Sequence, residues 1–386
     1  MPKINLLYVI TKMELGGAQK QLLSLINNLD KEVYDIFLFT AKDGFLINEV
    51  AFIDKLTLYR SIFLERSINL FKDALALSEI YSFIRKNRIQ IVHTHSSKAG
   101  ILGRFAAKLA KTPIIIHTVH GWSFHNYQSR IINYFYLILE KICANFTDKI
   151  IVVSNFDRNR GLKNSIGGGK QYILIRYGID DSKFKNREGR NDVRKALGLN
   201  NTDLVVGMIA CFKPQKAPLD FIKLAAAIKG RFSDVKFILV GDGVLRKKVS
   251  DLVKKLNLEN QVVLSGWRND IPLILSAFDV FVLTSLWEGL PIAVLEAMAC
   301  GVALVATDTG GIGEAVIDGQ TGYLAQTGDI VSMQDKVEEL LKNSRRRDEF
   351  IRLSKAVIDS QEFSLSNMVK NTQGLYSDLL KEGQNA

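Results

Sequence analysis

The chain has 386 residues, 47% hydrophobic and 24% charged, with six prolines and three cysteines. That length supports two cores, and the composition excludes a disordered, collagen-like or disulfide-stapled protein. A formal net charge of +11 favours anionic partners such as phosphorylated substrates or acidic phospholipid, but the scattered basic residues lack the aromatic-basic pattern of nucleic-acid binding.

Residues 4–10 read as a buried strand, and the polar Thr11, Lys12 and Glu14 end it too soon for a secretory signal. A helix is predicted over 18–29, a strand over 35–40, a longer helix over 70–86, and a strand over 89–93 that ends in His-Thr-His. A helix over 100–110 stops before Pro113. Strand 114–119, helix 130–145 and strands 149–153 and 172–176 complete the first half. This alternation predicts a doubly wound parallel sheet with ligand crevices at the carboxyl ends of its strands.

A polar stretch, 181–192, interrupts the pattern, and the second half repeats it with strands over 204–210, 235–240, 262–265, 280–284 and 302–306. The predicted domains are 1–178 and 190–362, followed by a terminal segment, 363–386, with an amphipathic helix over 363–380. Two such sheets facing one another would leave a cleft, the usual place for a binding site. No segment reaches transmembrane length. Cys143, Cys211 and Cys300 have no metal-ligand spacing and read as buried, reduced thiols of a cytoplasmic protein.

The most informative stretch is 284–322. Glu288 and Glu296 lie eight residues apart around the start of a helix, with Pro291 predicted at its first position and Gly301 at its end. A short strand and the pair Gly310-Gly311 follow. Glu296 falls at the edge of the stripe made by Ile292, Leu295 and Ala299, where a carboxylate needs a partner; a sugar or ribose diol would serve. Near the N-terminus, Gly16 and Gly17 separate the first strand from the first helix, as a tight turn or as a close approach to phosphate. The run Gly-Gly-Ala-Gln lacks the three spaced glycines of a dinucleotide fingerprint, which disfavours a nicotinamide oxidoreductase. His93 and His95 share one strand face, and His120-Gly121 follows the next strand. No histidine pair has a metal-site spacing, so no bound metal is predicted.

The Glu-x7-Glu motif ahead of a strand and a Gly-Gly loop, with Gly16-Gly17, His120-Gly121 and Lys216 in order before it, resembles the retaining glycosyltransferases of family 4 nearly end to end. The resemblance implies the α/β GT-B fold, two facing Rossmann-like doubly wound domains with a cleft between them. The first would take the acceptor and the second the nucleotide sugar, with the last helix crossing back to the first. It implies catalytic roles for His120 at the transferred sugar, Lys216 at the donor diphosphate and Glu288 on the donor-sugar side. Donor-binding candidates are Gly16, Gly17, Lys213, Arg268, Leu290, Ile292 and Glu296. Of these, Glu296 would hold the ribose hydroxyls, and the amides of Leu290 and Ile292 would meet the phosphates. The family carries an arginine five residues before the lysine. Cys211 stands there instead, with Lys213 as a partial substitute. Arg268 either lies near the base or pairs with Asp270.

The expected activity is retaining, metal-independent transfer of a hexose from a nucleotide-diphosphate sugar to a hydroxyl of a glycan or lipid-linked acceptor, in bacterial surface polysaccharide biosynthesis. No cofactor beyond the donor is expected. The aromatic run from Ile131 to Tyr136 suits either a membrane-bound acceptor or ordinary packing, so peripheral contact with the inner face of an anionic membrane is expected of a cytoplasmic enzyme. Two alternatives stand beside this reading: another GT-B enzyme such as a nucleotide-sugar epimerase, or a non-catalytic partner subunit, the latter motivated by Cys211. A carboxylate pair also marks glycosidases, but a helix start beside Glu288 favours a nucleotide sugar.

Overall fold

The computed structural model describes residues 3–185, 189–232 and 234–384; residues 186–188, part of the polar stretch at the predicted domain boundary, lie outside the described residues. The chain forms two compact units, Met1–Gly178 together with Leu365–Ala386, and Ile179–Ser364.

The first unit is built on strands β1 (Ile4–Val9), β2 (Tyr34–Ala41), β3 (Leu56–Ser61), β4 (Ile91–His95), β5 (Ile114–Val119), β6 (Lys149–Val152) and β7 (Tyr172–Leu174). Their order is β3-β2-β1-β4-β5-β6-β7, and every pairing is parallel. Helices cover both faces, so central strands are apolar without alternation: all six residues of β5 are buried. β3 and the helix Ile47–Ala51 went unseen in the sequence, since both are short and half-exposed. β4 starts two residues later than predicted. Arg88 adopts a left-handed φ of +47°, and Gln90 binds Asn5 through both backbone and side chain, so the ladder begins only at Ile91. Both His93 and His95 therefore lie inside the sheet, their rings 4.4 Å apart.

The final helix, Leu365–Gln384, belongs to this unit. Met368, Val369, Tyr376 and Leu379 share one core with Leu22, Leu25 and Ile26. The Tyr376 hydroxyl fixes its placement, lying 2.9 Å from the Tyr8 hydroxyl and 2.6 Å from His93 Nδ1.

The second unit is built on β8 (Leu204–Ile209), β9 (Val235–Val240), β10 (Val262–Gly266), β11 (Val280–Leu283), β12 (Ala303–Thr307) and β13 (Tyr323–Ala325), in the order β10-β9-β8-β11-β12-β13 and again all parallel. β13 has only three residues and gives no readable pattern. In both sheets the strand order reverses beside the first strand, between β1 and β4 and between β8 and β11. Loops diverge there, leaving a crevice at the carboxyl ends.

One buried ion pair braces the first unit. Arg104 is fully buried, donating Nε to the Gly100 carbonyl (2.8 Å) and Nη2 to Glu140 Oε2 (2.6 Å). Removing one partner strands the other charge in the core. Glu140→Ala is expected to cost about 3–5 kcal/mol in urea unfolding, while the double change Arg104→Met with Glu140→Leu comes much closer to neutral.

Candidate functional site

In the second unit the two loops at the switch point are sewn together. After β8 the chain turns through the 3-10 turn Pro214–Lys216 to Ala217, a non-glycine residue with φ +44° and ψ +53°. Such a conformation costs roughly 1–2 kcal/mol and needs external support. Thr284, at the end of β11, supplies it by donating its hydroxyl to the carbonyls of Lys216 (2.9 Å) and Ala217 (3.0 Å). Leu286 N–H donates to the Gln215 carbonyl (2.7 Å), and Gln215 Nε2 donates to the Trp287 carbonyl (3.0 Å). The consequence is an ion pair between Lys216 Nζ and Glu288 Oε1. The Lys216 side chain is 21% exposed and that of Glu288 6%, so the pair is largely withdrawn from water with the cation facing out.

The loop after β12 closes the other side. Gly311 N–H donates to the Gly289 carbonyl (2.6 Å), and Gly310 has φ +62°. A Cβ on Gly310 would lie 2.0 Å from the Glu288 carbonyl oxygen, so only glycine lets these backbones touch. The helix after Glu288 runs Ile292–Cys300, with Pro291 at its N-cap in extended conformation (φ −75°, ψ 120°). This corrects the predicted first helical position: ψ, which the proline ring leaves open, is not helical. The first turn thus presents the amides of Ile292 and Ala293, and Val294 makes the first closing bond to the Pro291 carbonyl (3.1 Å). Leu290 is buried and Ile292 half-exposed. Glu296, 7% exposed, sits one turn along that helix.

The structure also places Arg268, Lys213 and the three cysteines, and only Cys211 departs from its expected burial. Arg268 is filled by Asp270, with Nε to Oδ1 at 2.8 Å and Nη2 to Oδ2 at 2.5 Å, and these bonds hold the Asp270 carboxyl below its usual range. Cys143 and Cys300 are buried, but Cys211 is only half-buried because it lies on the loop beyond β8. Lys213 is half-buried at the start of the 3-10 turn. A cation not anticipated from the sequence enters from the helix Arg246–Lys255. The Arg246 guanidinium lies 5.9 Å from the Phe212 ring, next to Cys211. Its Nη2 bonds the Leu264 carbonyl at 3.4 Å, and among the described residues its buried Nη1 has no hydrogen-bond partner.

In the first unit, Gly16 caps the helix Gly17–Asn28 in extended conformation, and its carbonyl accepts the Lys20 amide (3.0 Å). At the switch point Thr11 is tied to Ser96, hydroxyl to hydroxyl at 2.8 Å, holding Ser96 at φ +60°. The neighbouring histidines form a network. His120 uses both ring nitrogens, Nε2 to His95 Nδ1 at 2.8 Å and Nδ1 to the Tyr177 hydroxyl at 2.6 Å. His93 is held between the hydroxyls of Tyr376 and Thr118. Burial lowers His93 and His120 to about 3, and carries His95 and His117 well below the ordinary value of 6.5. All four are neutral at pH 7. Tyr177 escaped the sequence reading because it lies where the pattern pauses. Among the described residues no group of three or more His, Cys, Asp or Glu side chains is arranged to hold a metal ion.

Two parallel doubly wound units of this kind define the GT-B class of glycosyltransferase folds. The profile of Glycosyltransferase Family 4 matches residues 15–183, and that of Glycosyl transferases group 1 matches residues 189–357. An Escherichia coli relative, UDP-Gal:alpha-D-GlcNAc-diphosphoundecaprenol alpha-1,3-galactosyltransferase, is 35% identical over 89% of this chain and 92% of its own. The N,N'-diacetylbacillosaminyl-diphospho-undecaprenol alpha-1,3-N-acetylgalactosaminyltransferase of Campylobacter jejuni is 28% identical over 77% of this chain and 79% of its own. Among solved structures, Anabaena HepE with UDP and glucose superposes with a TM-score of 0.85 at 20% identity, covering 97% of this chain and all of that one. The chain belongs to the group 1 glycosyltransferases and is a glycosyltransferase enzyme.

Two measurements check this geometry. Gly310→Ala is expected to lose at least about 1–2 kcal/mol from its left-handed backbone alone, with more from the contact at Glu288, read by urea unfolding. The four neutral histidines bind protons when the chain unfolds. Their stabilisation is therefore complete above pH 6.5 and is lost as the pH falls toward 3. Each contributes a slope of up to about 1.4 kcal/mol per pH unit in that window. Urea midpoints should fall between pH 7.5 and 5.5; a flat profile would contradict burial of the cluster.

Proposed function

We propose that the enzyme transfers a sugar from a nucleotide-diphosphate donor to a hydroxyl of a lipid-linked saccharide in bacterial surface polysaccharide synthesis, with retention at the anomeric carbon and no protein-bound metal. The observation that carries this reading is the meeting of Lys216 and Glu288 on the loops after β8 and β11, the second of which leads into the helix Ile292–Cys300. A cation and a helix N-terminus at a switch point suit a diphosphate. The E. coli relative is named for a UDP-galactose donor and a diphosphoundecaprenol-linked acceptor, and HepE was solved with UDP and glucose. Both support a UDP-sugar here.

The leaving group of such a reaction is a nucleoside diphosphate. Lys216 and the amides of Ile292 and Ala293 would stabilise the charge that grows on its β-phosphate. Glu288, already bound to Lys216, fixes that ammonium and lies on the sugar side, while Glu296 accepts from the ribose hydroxyls. Retention follows if the acceptor attacks on the face the phosphate is leaving, with the phosphate taking the acceptor's proton. Arg246, packed on Phe212 next to Cys211 and with its Nη1 unpartnered among the described residues, would take the part of the arginine that Cys211 replaces. Arg268, filled by Asp270, shapes the loop after β10 instead. His120 has both ring nitrogens engaged, so its ring reaches the sugar only by exchanging one contact.

The acceptor's lipid gives a role to the helix Arg130–Ala144. Ile131 (84% exposed), Tyr134 (66%), Ile138 and Ile142 project from one side of it. Its single acid, Glu140, is consumed by Arg104, leaving only Arg130 and Lys141 as charges toward solvent. An apolar and cationic helix suits an anionic lipid surface. No helix among the described residues is long and apolar enough to cross a membrane.

Nucleoside diphosphate release from a panel of UDP-, GDP- and ADP-sugars, with and without membrane lipid extract, tests the function. Turnover of a UDP-sugar that depends on the extract is expected; no release from any donor would support an inert partner subunit instead. Glu296→Ala should weaken donor binding at least tenfold, since each hydrogen bond to a carboxylate contributes about 1.5–3 kcal/mol. Arg246→Ala should weaken it with little change in melting temperature. Co-sedimentation with phosphatidylglycerol vesicles should fall for the Ile131→Ser, Tyr134→Ser double variant, and equal binding to phosphatidylcholine would remove the electrostatic part.

A further inference from the structure

The histidine network of the first unit ends in an unsatisfied atom. His95 Nδ1 is bound to His120 Nε2, but His95 Nε2 is buried and has no hydrogen-bond partner among the described residues. His95 is 3% exposed, and leaving such an atom bare costs about 1–3 kcal/mol. A cavity of about 30 Å³ adjoins it, lined in part by His95, His120, Thr118, Tyr177 and Thr372. That space is large enough for one water molecule.

The proton count gives this water a consequence. An imidazole–imidazole hydrogen bond carries a single proton. If His95 Nδ1–H donates it, His120 Nε2 accepts, and His120 must donate Nδ1–H to the Tyr177 oxygen. His95 Nε2 is then an acceptor. If His120 Nε2–H donates, His120 Nδ1 accepts from the Tyr177 hydroxyl, and His95 carries its own proton on Nε2. The two arrangements place His120 in opposite tautomers. What His95 Nε2 meets in the cavity therefore selects the tautomer of His120, two bonds away.

We propose that the cavity beside His95 holds one buried water, and that His95 is a positioning residue which fixes the tautomer and ring plane of His120 for sugar transfer. The role in transfer rests on the functional reading above; the tautomer claim does not. Tyr177 holds the opposite side of the ring, so His120 is clamped at both nitrogens. A clamp of this kind orients a group without touching the substrate itself.

The chain has five histidines, so ring nitrogen-15 NMR of histidine-labelled protein can be assigned by single substitutions. The wild type should show His120 as one neutral tautomer between pH 6 and 8. His95→Phe should give mixed tautomers at His120 and lower kcat for donor turnover about tenfold with KM little changed. His95→Asn, whose amide overlays Nδ1 but has no atom at Nε2, should keep a hydrogen bond to His120 yet still give mixed tautomers and lowered kcat. Circular dichroism melting separates these effects from misfolding, and should His95→Phe fail to fold, Tyr177→Phe tests the opposite clamp by the same readouts. A wild-type tautomer in both His95→Phe and Tyr177→Phe, or an empty cavity in a high-resolution crystal structure, would overturn the proposal, as would altered tautomers with unchanged kcat. Absence of turnover in the wild type would instead count against the glycosyltransferase substrate reading, and the NMR result would still decide the tautomer.

Discussion

An ammonium and a carboxylate pressed together at the ends of β8 and β11 set the terms for the second unit. Withdrawing both charges from water is unfavourable, and their attraction repays it only where geometry is held tightly. The surrounding loops provide that hold. Thr284 fastens the strained Ala217, Gln215 spans the two loops, and Gly310 brings a third backbone against Glu288. Together these features hold Lys216 and Glu288 in one place. On the reading proposed, the lysine is shared between two anions, one built into the protein and one brought by the donor.

The first unit uses the same topological position for opposite electrostatics. Beside that position β4, β5 and the residue after β5 carry imidazoles whose burial keeps them neutral. Neutral rings can pack against the sheet and accept or donate as the network requires. Tyr376 binds the terminal helix into this cluster, so the end of the chain stabilises a site made by its beginning. One doubly wound design thus carries a charged pair near its strand ends in one unit and a neutral imidazole cluster in the other.

Much of this fold was legible because parallel strands buried on both faces leave long apolar runs, and β1, β5, β8, β9 and β11 all do so. β3 and β13 were not, being short and bounded by ordinary residues. Lys216 and Glu288 could be named from motif order, but that they pair is a matter of loop stitching by Thr284 and Gln215, which no spacing reveals. Pro291 was displaced by one position because ψ, not φ, decides where a helix begins. Arg246 carries no motif, its contact being with the distant Phe212, and Tyr177 lies where the strand-helix pattern pauses, its contact being with the distant His120. Arg268 was ambiguous until its fork was seen to be filled.

The central claim is that Lys216 is a counter-ion divided between Glu288 and the donor diphosphate. Calorimetry of nucleoside diphosphate binding to Glu288→Gln tests it most directly. Freed of its internal partner, the ammonium should bind the diphosphate more tightly while sugar transfer falls. Weaker binding of the nucleotide to that variant, in parallel with lost transfer, would contradict the account.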